Sequence, residues 1–174
     1  SYDMVNAPAL SGEINKLDAI LNACLVTGFN SKSINSISVS NNIATATTST
    51  SHGYQVYDTI VISGANENQF NDEFTIASVP STTTFTFPLI TNTSSATGTI
   101  TCKIAPLGWS QAFTNGSGKS VYHSTDINGT GLYLRVDDTG ARSTQVNMYE
   151  TMATVDVGTG KSQDTWWTKS SVAN

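Results

Sequence analysis

The sequence predicts a mainly β protein: two small β domains, each a barrel or sandwich, with one N-terminal amphipathic helix. Three observations carry this. From Ser36 onward apolar and polar residues alternate in short runs, the period of a strand with one face buried. Clusters of Asn, Gly, Asp, Ser and Pro separate the runs at the spacing found in small barrels and sandwiches. Only Ser11 to Thr27 keeps a helical period.

Composition narrows the functional classes. At 174 residues the chain makes one domain or two small ones with adequate cores. Only 12% of residues are charged, so the polar surface rests on Ser, Thr, Asn and Gly. A net charge of −5 without a basic stripe argues against nucleic acid as a partner. No apolar run reaches eighteen residues and the chain does not start on a basic-then-apolar order, so neither membrane insertion nor export is expected. Cys24 and Cys102 lack metal-ligand spacing and read as buried free thiols. No cofactor is expected.

Taken in order, residues 1–10 read as a polar arm. Over Ser11 to Thr27, Ile14, Leu17, Leu21, Cys24 and Leu25 recur at three- and four-residue steps; Ser11 is the expected N-cap and Gly28 the stop. Ile20 and Val26 widen the stripe, so the helix covers a sheet or meets another subunit. Ile37 and Val39, then Asn41-Asn42, then Ile43 to Thr48 read as a hairpin, because Asn tolerates the positive φ of a tight turn. Strands are predicted at 59–63, 73–79, 83–88 and 98–104, and later at 120–124, 132–136 and 144–152. The helix is thus cut off from the last strands by an alternating block. This implies a discontinuous helix-and-sheet domain of residues 11–35 and 104–174, with 36–103 inserted as a β module.

The densest charge falls in Gly131-Leu-Tyr-Leu-Arg-Val-Asp-Asp138. As a strand it puts Leu132, Leu134 and Val136 on one face and Tyr133, Arg135 and Asp137 on the other. Arg135 with Asp137 and Asp138 reads as a structural ion pair pinning strand to turn. Asp126, Asp137, Asp138, Glu150 and Asp156 could supply paired carboxylates for glycoside cleavage, a weaker reading with no spacing rule behind it. His52 and His123 stand far apart, and no serine sits in a nucleophile elbow. Trp109, Trp166 and Trp167, with Leu10, Ile20 and Val26, are interface candidates. Adjacent Trp residues on a strand point to opposite faces, so one of this pair can fill a core while the other anchors a contact or stacks on a sugar.

Two sets of residues resemble known families. Ile43 to Tyr54, Asp58 to Ala65, Phe70 to Val79 and Thr83 to Phe87 look like a small β module of bacteriophage tail and fibre proteins. The flanks resemble an uncharacterised family of phage and prophage virion proteins, through Asn6-Ala-Pro-Ala-Leu-Ser-Gly12 with Leu17 to Phe29, and through Lys103 to Trp109, Leu132 to Asp138, Tyr149 to Met152 and Val155 to Gly160. The resemblance implies a virion part; few charges and no reactive constellation add the expectation of a non-enzymatic, homo-oligomeric subunit whose partners are tail, baseplate or coat proteins, and the free thiols fit synthesis in the host cytoplasm. Tail or baseplate accessory is the first expectation, capsid decoration the second and a glycan-binding adhesin the third.

Overall fold

A computed structural model describes residues 4–90 and 95–169. The chain divides into two compact units, Ser1–Ala7 with Gly28–Ala105 and Pro8–Thr27 with Pro106–Asn174. Both are built mainly of strands.

The first unit is a curled antiparallel sheet of β1 (Phe29–Ser40), β2 (Ile43–Thr48), β3 (Thr59–Ala65), β4 (Glu73–Thr75), β5 (Ser78–Ser81), β6 (Thr84–Pro88) and β7 (Gly98–Ile104), in the order β4-β3-β7-β1-β2-β6-β5. The curl begins in β1. Its first residues pair with β7 and its later ones with β2, with register breaks on either side of Ser33, and such breaks bend and twist a strand. Ile37, Ala44, Ala46, Ile60, Ile62, Phe85 and Phe87 fill the inside. Phe74 of β4 meets Phe87 of β6 with ring centroids 4.5 Å apart, so opposite ends of the sheet approach each other. The expected turn forms as read, with Asn41 at φ 50° and Asn42 at φ 62°.

Three expectations here need correction. β1 starts at Phe29, not near Ser36, so residues 28–35 belong to this unit rather than to the helix domain. Asn30 at φ 54° breaks the alternation that would have marked the strand's first half. The run 73–79 is two strands, because Ile76 and Ala77 carry the chain across: the Ile76 N–H reaches Asp58 O, and the Ala77 N–H reaches Thr86 O. Of the expected arm, residues 1–3 lie outside the described residues. Met4 packs on the core of this unit and the Asn6 side-chain amide donates to Asn30 Oδ1, so 4–7 are tied down within the chain.

The second unit has α1 (Lys16–Asn22), which runs into one π-helical turn at Ala23–Thr27, and the strands β8 (Trp109–Thr114), β9 (Lys119–Ser124), β10 (Tyr133–Asp137), β11 (Ser143–Tyr149), β12 (Thr151–Met152), β13 (Gly158–Thr159) and β14 (Thr165–Thr168). Five strands form an antiparallel sheet ordered β14-β11-β10-β9-β8, and β12 and β13 form a separate ribbon. Leu17, Leu21, Leu25 and Val26 pack against Tyr122, Leu134, Val136, Val146 and Trp109, so the helix covers one face of the sheet. The opposite face gathers Phe113, Val121, Tyr133, Tyr149, Met152 and Val155. β10 is therefore covered on both faces, not half-buried.

The helix starts at Lys16 rather than after Ser11. Asn15 takes the left-handed conformation, φ 64°, which ends any helical path from Ser11, and the Ser11 hydroxyl accepts the Glu13 N–H in a local turn instead. No side chain of the helix's own N-terminal segment caps it. The cap comes from β10's exit turn.

Candidate functional site

Two groupings in the second unit gather the singled-out residues. The first forms around β10. Asp138 is fully buried, and its Oδ2 accepts the Leu17 N–H at 2.8 Å, supplying the missing helix cap from 121 residues away. Its Oδ1 accepts the Thr144 hydroxyl at 2.5 Å and pairs with Lys169 Nζ at 2.8 Å. Its backbone takes part as well, with its carbonyl accepting the Asn15 N–H and its own N–H donating to Gly118 O. Helix start, β11 and the end of β14 meet at this carboxylate, and the backbone bond to Gly118 ties in the residue before β9.

Arg135 is 7% exposed and lies on the other face of β10. Its Nε donates to Val155 O at 2.7 Å, and its Nη2 reaches Asp156 at 2.6 Å and Asp137 at 3.2 Å. Lys119 joins both carboxylates, at 2.9 Å to Asp156 and 3.5 Å to Asp137. Hydrogen bonds from Lys119 and Arg135 hold the Asp156 carboxyl below its ordinary value. Burial pushes Asp137 up, but hydrogen bonds from Thr139 and the neighbouring cations outweigh it and the net shift is down. The expected pairing is thus divided: Asp137 pairs with Arg135, whereas Asp138, one residue on and turned to the opposite face, pairs with Lys169. Lys169 and Lys119 carried no signal in the sequence beyond their charge. Strand alternation puts Lys119 on the face of Val121, and the pairing of β9 with β10 then sets it opposite Asp137.

The second grouping is β14, which ends its sheet among the described residues. Gln145 pairs with Trp166 and Thr144 with Trp167, which sends the two indoles to opposite faces of the sheet. Neither fills a core, with Trp166 59% and Trp167 50% exposed. Leu10 is also exposed, at 68%. Val26, on the helical turn, and Trp109, on β8, are partly buried against the core of this unit, and Ile20 is half-buried on the helix.

The remaining candidates have local roles. His52 is buried, stacks on Tyr54, accepts the Tyr54 N–H at Nδ1 and lies 3.2 Å from Ser81 O at Nε2; burial lowers its pKa, partly offset by backbone hydrogen bonds. His123 packs on the Tyr133 ring. Asp126 Oδ1 accepts the Asn128 N–H in an Asx-type turn. Both thiols are free, Cys102 buried and Cys24 half-buried; burial raises both, Cys102 to about 11. Among the described residues no group of three His, Cys, Asp or Glu is placed to hold a metal ion, and no helix is long and apolar enough to cross a membrane. No family model, curated protein or solved structure matches the chain.

Proposed function

We propose that the chain is a non-enzymatic structural subunit of a bacteriophage virion, an accessory of the tail or its baseplate that works through multimeric protein contacts. The observation that carries the reading is β14. An uncharged strand ending a sheet, with a half-exposed indole on each face, suits protein association, for which Trp is a preferred anchor. The ordered blocks that resemble phage virion proteins supply the setting.

The carboxylates support a structural role. A glycosidase's acid needs a raised pKa, whereas Asp137 and Asp156 are both lowered and committed to the same two cations. Asp138 is committed to a helix cap and a lysine.

The deciding experiment is quantitative mass spectrometry of purified particles, counting this chain against the major coat protein. A count in the tens or below is expected for a tail or baseplate ring. A count equal to the coat lattice would replace this reading with capsid decoration, and absence from particles would remove both. The exposed indoles also suit stacking on a sugar. An adhesin would hold host polysaccharide on a column and release it in Trp166→Ala or Trp167→Ala, and no retention by the native chain would exclude that reading.

A further inference from the structure

A strand at the end of a sheet presents unpaired backbone groups, and proteins that must stay apart blunt it with charge, Pro, brevity or a bulge. Among the described residues four strands end the two larger sheets; all are short or interrupted, and three of them also carry a charge, a Pro or a register break. β4 has three residues and carries Glu73. β5 carries Pro80 and a register break between Ser78 and Ser81. β8 has a break between Gln111 and Phe113. The fourth, β14, is Thr165-Trp166-Trp167-Thr168, with no charge, no Pro and an unbroken register.

This edge is held ready. The Lys169 N–H donates to Arg142 O at 2.8 Å, and the Lys169 side chain is 7% exposed against Asp138. That backbone bond also fixes which groups face outward. In an antiparallel ladder bonded and non-bonded pairs alternate, so residues 165, 167 and 169 bond to β11, while the N–H and C=O of Trp166 and Thr168 point away from the sheet.

We infer that β14 is completed by β14 of a second copy, antiparallel across a twofold axis, joining two five-stranded sheets edge to edge. Setting Trp166 opposite Thr168 of the second copy, and Trp167 opposite Trp167, uses every outward backbone group of the strand in both copies. The two Trp167 rings then share one face as a cross-strand aromatic pair. A second copy fits because the edge is complementary to itself. Asp164 and Lys169 bracket the strand with opposite charge, and antiparallel order brings the acidic end of one copy to the basic end of the other. Each charge is also compensated within its own copy, Lys169 by Asp138 and Asp164 by Lys161, so a chain of net charge −5 meets its twin here without like charges opposed.

The half-exposed indoles offer roughly 250 Å² per copy. With the backbone this stays below the ~1,200 Å² of a standard interface. The isolated dimer is therefore weak, with a micromolar or higher dissociation constant. The inference rests on Trp166 and Trp167 being assembly contacts, and not on which particle they serve.

The test is sedimentation velocity on the full chain from about 1 µM to about 1 mM, alongside Thr168→Pro, which removes an outward N–H and leaves the bonds to β11. The native chain should pass from monomer to dimer, and the variant should bind at least about tenfold more weakly with an unchanged thermal midpoint. Amide exchange on the native chain, which involves no variant, should slow at Trp166 and Thr168 as concentration rises. A chain that stays monomeric throughout, a dimer equally tight in a folded Thr168→Pro, or no added protection at those two amides would overturn the inference. A dimer with these properties that is missing from particles would sink the virion reading alone. Normal incorporation of a chain that stays monomeric would sink this inference alone.

Discussion

A carboxylate without access to water must be neutralised where it sits. Asp138 is held by Lys169, Thr144 and the Leu17 N–H, and removing its carboxylate leaves all three short of that partner. Asp138→Asn leaves a buried lysine unpaired and should cost about 3–5 kcal/mol in denaturant unfolding. Adding Lys169→Met removes that stranded charge and should recover a good part of the loss; a double variant as unstable as the sum of the singles would show that the two residues act separately. His52 offers a pH-dependent counterpart in the other unit. Burial, the largest cause, lowers its pKa from 6.5, so the unfolded chain binds the proton more readily than the folded one. Its contribution is complete above 6.5, falls as the pH drops from there toward the lowered value, and levels off below it. Unfolding midpoints taken between pH 7.5 and 5.5 should fall for the native chain and fall less for His52→Gln. An identical fall in both would assign the dependence to other groups.

Elements divide by how local their causes are. The hairpin of β1 and β2 was legible because two Asn residues at positive φ interrupt an alternating run, and the same chemistry predicts its variants. Asn42→Val forces a β-branched residue to φ 62° and should cost about 1–2 kcal/mol, whereas Asn42→Gly should be neutral or slightly stabilising. Equal midpoints for the two would mean that the turn does not constrain the fold. The faces of β10 could likewise be read from Leu134 and Val136 against Arg135. The helix start could not, because the cap is supplied from residue 138, and a pattern search along 11–17 cannot see it. β8 escaped for a similar reason, since its register break shifts Phe113 out of step with Trp109 and Gln111. At the candidate site, the pairing of Asp137 with Arg135 is local and was legible. The commitment of Asp138 to Lys169, and the exposure of both indoles, depend on which strand ends the sheet, which no local pattern encodes.

At the scale of the whole chain, the first unit leaves the second and returns to it at closely spaced points. Its first and last strands are neighbours, with Phe29 paired to Ile104. In the second unit the Leu107 N–H donates to Cys24 O at 2.9 Å, so the chain ends flanking the insert are already held together by that unit's own backbone. Such an insertion imposes little closure cost on its host, because the ends need not be brought together. Each unit also has its own core, Ile37 through Phe87 in one and Tyr122 with Val136 and the helix in the other. Replacing residues 28–105 by a short Gly-Ser linker should therefore leave the helix on Tyr122 and Val136, visible as retained near-ultraviolet circular dichroism and slow exchange of the Leu17 amide that Asp138 accepts. Residues 28–105 expressed alone lose the Met4 contact, and should fold with a lower midpoint than in the full chain. If the shortened chain lost its near-ultraviolet signal, the second unit would need the insert to fold, and the independence argued from the paired chain ends would be wrong.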